Sequence, residues 1–330
     1  MKPTIFRQSV ALPWRRAARS TPLERAVEWI RTHRARGGGV VPHHRHRAGS
    51  QEVTGYLIPT LRNIGEREMA LEMARWEASV QRTDGAFCAP DGVPYTFDTA
   101  QAVRGFLAVL DDLPELEPTL RRACDFVLSQ IQPDGRVGTP SYAMWVCADG
   151  SRFSDYANLY VLPPLVAAGT RLQHSPYVDA AARAWEYYRR QPDLVEFKPE
   201  LGTLSHIFGY MMEALVELGE LTLARRGLEQ AAAIQEADGR IPAYPGVRWV
   251  CATGMAQLAI AWYGLGERQP ADAAVDHLKR LQLPNGGFYG SYGAGAAYLP
   301  HQEISWAVKF FIDCLTLQAA GPTRPGEQNP

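Results

Sequence analysis

Three near-copies of one short turn constrain this chain more than any other feature. Gln81-Arg82-Thr83-Asp84-Gly85-Ala86-Phe87, Gln235-Glu236-Ala237-Asp238-Gly239-Arg240-Ile241 and Gln282-Leu283-Pro284-Asn285-Gly286-Gly287-Phe288 share the pattern Q-x-x-x-G-x-(aromatic or aliphatic). A fourth copy, Gln132-Pro133-Asp134-Gly135-Arg136-Val137, keeps the Asp-Gly pair but shifts the glutamine. Arg36-Gly37-Gly38-Gly39-Val40 reads as a worn first copy. Glycine after Asp or Asn stops a helix, because it takes the left-handed conformation at low cost. The glutamine is expected to bond backbone groups of the next turn, a structural role.

Each copy closes an amphipathic stretch. Residues Leu23–His33, Glu66–Val80, Leu116–Gln130, Leu221–Ile234 and Ala271–Leu281 space their apolar side chains near a 3.6-residue period. A second, more apolar helix type follows each loop, starting near Glu52, Asp98, Ala157, Leu204, Ala252 and Glu303. Several of these close on a glycine: Gly65, Gly169, Gly219 and Gly266. The starts lie about 46 to 59 residues apart, the length of one helical hairpin per repeat. Helices apolar nearly all round must be buried. The pattern therefore predicts an all-α fold, an (α/α)6 toroid with six inner and six outer helices. An open solenoid is the alternative; closure is preferred because neither end carries a polar cap. The expected organisation is an N-terminal extension (1–22), one toroid domain (23–318) and a disordered Gly/Pro-rich tail (319–330). Pro59 and the Pro163-Pro164 pair are expected to kink or start inner helices.

Composition narrows the function. The net charge of -1 argues against nucleic-acid binding. The five cysteines form no C-x-x-C pair and are odd in number, which reads as reduced, packed thiols. No secretory h-region and no run of 18 apolar residues is present, so the default expectation is a cytoplasmic chain with no transmembrane segment. There is no P-loop and no G-x-G-x-x-G after a strand, and no cofactor is expected. The oligomeric state is left open.

The glutamine-glycine turns resemble the repeats of squalene-hopene cyclases and of protein prenyltransferase beta subunits, over roughly residues 23–318. That resemblance implies the toroid and an isoprenoid substrate. The D-x-D-D acid of the cyclases is absent, and Asp111-Asp112 falls at a helix end. Cys251 and His301 sit where the prenyltransferase zinc ligands would fall, but Trp249 stands in place of the aspartate, so no metal is expected. The chain is also similar to sugar-active toroids of the N-acylglucosamine 2-epimerase type. It carries His206 with Glu213-Ala214-Leu215 on the fourth inner helix and Pro300-His301-Gln302-Glu303 before the sixth. Glucuronyl C5-epimerases and polysaccharide lyases share that cluster of architectures.

In a ring, the loops leading into the inner helices meet at one end. This places His206, His301, Glu303, Asp98 and Tyr210 as candidate proton-transfer residues. Glu52, Tyr56, Tyr95, Trp145, Asp155, Asn158, Tyr160, Arg248, Trp249, Tyr292 and Trp306 become candidate substrate contacts. A helix N-terminus disfavours a charged imidazole, so His206 and His301 are read as neutral bases flanking a sugar carbon. Arg248 would neutralise a uronate. The plainer alternatives stand beside these: His206 and His301 as packing residues, Asp98 and Glu303 as first-turn carboxylates, and the aromatics as core. The basic run His43-His44-Arg45-His46-Arg47 reads either as a surface loop or as an anion or metal site at the pocket mouth. The leading function is acid-base chemistry on a sugar or uronic-acid glycan, with epimerisation first and then lyase or hydrolase action. The second is a small terpene-cyclase-like enzyme with Asp98 or Asp155 as the acid. The third is a non-catalytic toroid that binds a glycan or a protein. Several carboxylates plus Arg248 facing the cavity favour the first reading; a hollow lined only by Trp, Tyr, Phe and Met favours the second.

Overall fold

The computed structural model describes residues 20–321; most of the expected extension and tail lies outside them. Twelve α-helices alternate between an outer and an inner ring. The hairpins are α1 (Pro22–Thr32) with α2 (Gln51–Asn63), α3 (Arg67–Val80) with α4 (Thr96–Val109), and α5 (Glu117–Gln130) with α6 (Leu162–Arg171). They continue with α7 (Ser175–Tyr188) and α8 (Ser205–Glu217), α9 (Leu221–Ala233) and α10 (Ala252–Gly264), and α11 (Arg268–Leu281) and α12 (Ser305–Ala320). Burial separates the two rings: α10 buries 11 of its 13 residues, whereas α9, on the outside, buries Ala224, Gly227, Leu228 and Ala231 alone. The two short strands described, β1 (Val250–Cys251) and β2 (Ser291–Tyr292), pair antiparallel and tie the loop before α10 to the loop before α12.

The ring is closed. Helix α12 packs against both α1 and α2. Thr60 donates a hydrogen bond to Asp313 Oδ1 at 2.7 Å, Tyr56 packs on Phe310, and the Trp29 indole donates to Glu303 Oε2 at 2.7 Å. An open solenoid would leave the apolar face of α12 against water; Phe310, Phe311 and Ile312 are instead fully buried.

The repeated glutamines explain the even spacing. Gln81 Nε2 donates to the Gly85 carbonyl of its own turn at 3.1 Å and to the Thr119 carbonyl in α5 at 2.9 Å. Gln235 bonds Gly239 and Pro270 in the same way, and Gln282 bonds Gly286 and, across the seam, Pro22 at 2.9 Å. Each amide thus staples one outer helix to the next, reaching further than the local turn expected from the sequence. The shifted Gln132 bonds only Gln130 beside it. Gly286 takes φ +95°, and a Cβ there would lie 2.0 Å from the Arg25 carbonyl, so the turn can nest under α1 only as glycine.

Two pairs of inner helices cross closely through glycines. Between α2 and α4, a Cβ on Gly105 would meet the Gly55 carbonyl at 2.6 Å. Between α8 and α10, a Cβ on Gly254 would meet the Ser205 side chain at 2.0 Å, and one on Gly209 would meet Gln257. The third inner helix departs from expectation. Residues Asp155–Val161 form a 3₁₀ segment, and the α-helix starts only at Leu162, with Pro163 and Pro164 in its first turn. Proline fits there because first-turn N–H groups have no partner inside the helix. Pro59 lies inside α2, which runs on through it.

Candidate active site

The first turns of α2, α4, α8 and α12 meet at one end of the ring around a cavity of about 350 Å³, within the range of small-molecule sites. Its polar members are Glu52, Tyr95, Asp98, His206, Tyr210 and Tyr298. Phe97, Trp145, Phe153, Leu201, Ile207, Leu299 and Trp306 supply much of the apolar wall. Among the described residues, neither Lys nor Arg lines it. Tyr298 arrives on the loop before α12 and places its ring 5.6 Å from that of His206 and 6.3 Å from that of Phe153, roofing the cavity.

Glu52 and Asp98 come from adjacent helices, and both carboxyls are shifted up. Burial raises the Asp98 carboxyl well above the carboxylate range, and the nearby charges of Glu52 and Asp91 raise it further. Its Oδ2 has no hydrogen-bond partner. Burial pushes Glu52 up to about 7. The hydroxyls of Tyr56 and Tyr210 lie beside it and favour its charged form, though neither completes a hydrogen bond of normal geometry. Glu52 and Asp98 both line the cavity, Glu52 the more exposed and Asp98 the more buried. Two carboxyls that feel one another do not both ionise cheaply, and burial favours the protonated form of both, most strongly at the more buried Asp98. Behind it on α3, Glu77 is fully buried, unpartnered and likewise shifted up by burial.

His206 faces this pair from α8. Its Nδ1 lies 2.5 Å from Gln257 Oε1 on α10. Burial lowers it to about 4, against a small opposing effect of Gln257. Burial, rather than the helix dipole expected from the sequence, is the main cause, and it favours the neutral imidazole.

Of the sequence candidates, Glu52, Tyr95, Asp98, Trp145, His206, Tyr210 and Trp306 line the cavity together. Tyr56 and Tyr160 sit just behind it, Tyr160 stacked on Phe97 and tilted on Tyr210. The rest lie elsewhere. His301 is exposed at φ +63° with its ring against Tyr289, so the two histidines do not flank one substrate. Glu303 accepts from Trp29 and from Asn285 at 2.9 Å and is a structural tie. Arg248 is exposed and away from the cavity wall, which removes the uronate partner. Asp155 pairs with Arg152 near the surface. Asn158 is buried away from the cavity wall, Trp249 packs against Tyr244, and the Tyr292 hydroxyl anchors its turn on the Leu281 carbonyl. The basic run at 43–47 clasps the N-terminus of α12, with reciprocal bonds between His44 and Glu303. Among the described residues, no cluster of three or more His, Cys, Asp or Glu side chains could hold a metal ion.

Phe97, Tyr298 and Gln257 escaped the sequence reading. A signal for the α8–α10 pair was present. Glu52-x-x-Gly55-Tyr56 and His206-x-x-Gly209-Tyr210 match in spacing, and each glycine sits at a close crossing with the next inner helix. Residues at matching heights on those next helices include Gln101 and Gln257.

No protein-family model and no curated protein matches this chain. Solved structures match its fold across nearly its whole length. One is an unsaturated glucuronyl hydrolase specific for heparin, 13% identical, covering 91% of this chain and 96% of the other at a TM-score of 0.66. Another is the type II terpene cyclase from Scytonema in complex with geranylgeranyl dihydroxybenzoate, 15% identical, covering 91% and 97% at 0.58. A third is an alpha-amylase from Clostridium perfringens, 12% identical, covering 92% and 99% at 0.64. The chain shares the α/α-toroid fold. Sugar-active and terpene-cyclising enzymes both stand among its structural neighbours.

Proposed function

We propose that this toroid is an enzyme that protonates a carbon–carbon double bond of a largely apolar, isoprenoid-type substrate and cyclises or isomerises it. The observation that carries this reading is Asp98, buried with an unpartnered carboxyl oxygen, on the wall of a cavity that also presents Phe97, Trp145, Trp306 and Tyr210 and, among the described residues, no Lys or Arg. The cavity lacks Arg248 but holds the carboxyls of Glu52 and Asp98, so it meets neither pattern in full; the predominance of its apolar and aromatic wall supports the isoprenoid reading over the sugar epimerase. The Asp98 O–H bond breaks and a C–H bond forms, leaving a cation on the more substituted carbon. Aromatic faces attract that cation by their quadrupoles. A neighbouring double bond closes a C–C bond onto it, and the last cation loses an adjacent proton to His206 Nε2, the C–H electrons becoming a new double bond. Product and substrate are isomers, and solvent returns the proton from His206 to the carboxyl pair. The geranylgeranyl dihydroxybenzoate bound by the Scytonema cyclase is a substrate of this chemical type.

The Glu52–Asp98 carboxyl pair with Trp145 and Trp306 as stacking platforms supports a second reading, acid catalysis on a glycan. One experiment separates the two. The protein is incubated in deuterated water with a panel of prenylated hydroxybenzoates and polyprenols, and in parallel with unsaturated uronyl oligosaccharides. The expected result is an isomer of one polyprenyl substrate carrying one added deuterium, absent with Asp98→Asn. Turnover confined to the uronyl panel, or isomer formation that survives Asp98→Asn, overturns the proposal.

A further inference from the structure

We infer that Gln257 is the positioning residue that fixes His206 with its proton on Nδ1 and its basic Nε2 turned to the cavity. The tautomer is argued from geometry alone; the use of Nε2 as the terminal base rests on the function proposed above.

The argument begins with the backbone. Gln257 can reach His206 only because α8 and α10 cross within side-chain contact, which Gly209 and Gly254 permit. A Cβ on Gly209 would lie 2.6 Å from Gln257 Cβ and 3.1 Å from its Oε1, so that glycine opens the slot the glutamine fills. Gln257 is fully buried and His206 nearly so, and water does not compete for the bond between them.

A glutamine amide has one accepting end and one donating end, and its surroundings choose the orientation. Gln257 Nε2 and the Oε1 of Glu213, one turn beyond Tyr210 on α8, are both buried without a hydrogen-bond partner. Gln257 Oε1 is the end turned to the imidazole, 2.5 Å from Nδ1. An acceptor at that distance demands a donor, so the proton of the neutral ring sits on Nδ1. The Gln257–His206 contact therefore delivers a lone pair to the cavity on Nε2. Glu213 is itself anchored, accepting from the Tyr160 hydroxyl at 3.5 Å. The titratable groups facing the ring are Tyr210 on its own helix, Tyr298 from the roof, and Glu52 and Asp98 on the shared cavity wall. Cys251 precedes α10, and α10 brings no charged side chain into the contact.

The test is ¹⁵N NMR of histidine-labelled full-length protein at pH 7, with the His206 signals assigned by their loss in His206→Asn. The expected spectrum shows a protonated, pyrrole-type Nδ1 and an unprotonated, pyridine-type Nε2. In Gln257→Met the acceptor is gone and the Nε2-protonated form becomes populated. In Gln257→Glu, which keeps the volume and an acceptor, the Nδ1-protonated form is retained and the ring titrates at least one pH unit higher. With a substrate in hand, turnover falls roughly tenfold to a hundredfold in Gln257→Met and recovers in part in Gln257→Glu. A wild-type spectrum with the proton on Nε2, or an unchanged tautomer in Gln257→Met, overturns the inference. Because the spectrum is read without substrate, either result stands whether or not the chain proves to cyclise an isoprenoid.

Discussion

At the scale of single residues, location divides side chains that looked equivalent in sequence. His206 and His301 both precede or open an inner helix, yet one lines the cavity and the other faces solvent. His301→Ala is therefore expected to leave turnover unchanged within twofold, measured beside His206→Ala, which is not. Glu303→Ala is expected to act on stability instead, because it strips the nearly inaccessible Trp29 indole of its acceptor; the cost is about 1–3 kcal/mol in denaturant unfolding. The buried carboxyls set the pH response. Glu213 is held up at about 8 by burial, so between its unfolded value near 4.5 and pH 8 the folded chain keeps a proton that the unfolded chain has lost. Its contribution is complete below pH 4.5 and is lost as pH rises to 8, with a slope of at most about 1.4 kcal/mol per pH unit. His206, lowered to about 4, opposes it between pH 4 and 6.5. Glu213→Gln should flatten the fall in unfolding free energy most clearly between pH 6.5 and 8, where the histidine no longer titrates. The residue types of the site were legible from sequence, since proton-transfer groups stood at helix starts. Which starts reach the cavity was not, because that depends on how far each loop carries its chain before the helix begins.

At the scale of elements, helix type was readable from apolar periodicity, and helix ends from the Asp-Gly and Asn-Gly pairs. The third inner helix was placed too early because Ala157–Val161 is as apolar as a helix should be. Its backbone is instead a tighter 3₁₀ segment, and the α-helix waits for the proline pair. The glycines inside helices were the least legible feature. Gly105 and Gly254 look like propensity defects, but each admits a neighbouring backbone. Gly105→Ala is expected to cost roughly 1–3 kcal/mol through overpacking, despite alanine's better helix propensity. Unfolding midpoints compared with Gly65→Ala, a positive-φ site with open space around it, separate crowding from backbone strain.

At the scale of the whole molecule, six hairpins were countable from the repeat, and closure followed from having no polar end cap. The means of closure was not visible, since the sequence cannot show that a glutamine reaches a helix in the next repeat. Gln282 bridges the seam between last and first hairpins, with Arg25 donating to its Oε1 at 2.6 Å. Gln282→Ala is expected to lower the unfolding free energy by about 1–3 kcal/mol and to lower the denaturant slope if the seam opens before the ring melts. Gln132→Ala, whose amide bonds only its own turn, should cost less.

The short turn at residues 143–146 gives the mouth of the cavity a character of its own. Met144 and Val146 stand about half uncovered there and belong to the cavity lining. A guest approaching the mouth meets hydrocarbon before it meets the acid. A greasy molecule sheds its water shell at that threshold, whereas a heavily hydroxylated one gains no hydrogen bond from these two side chains. On the function proposed above, selection between the two begins outside the ring, before any proton moves.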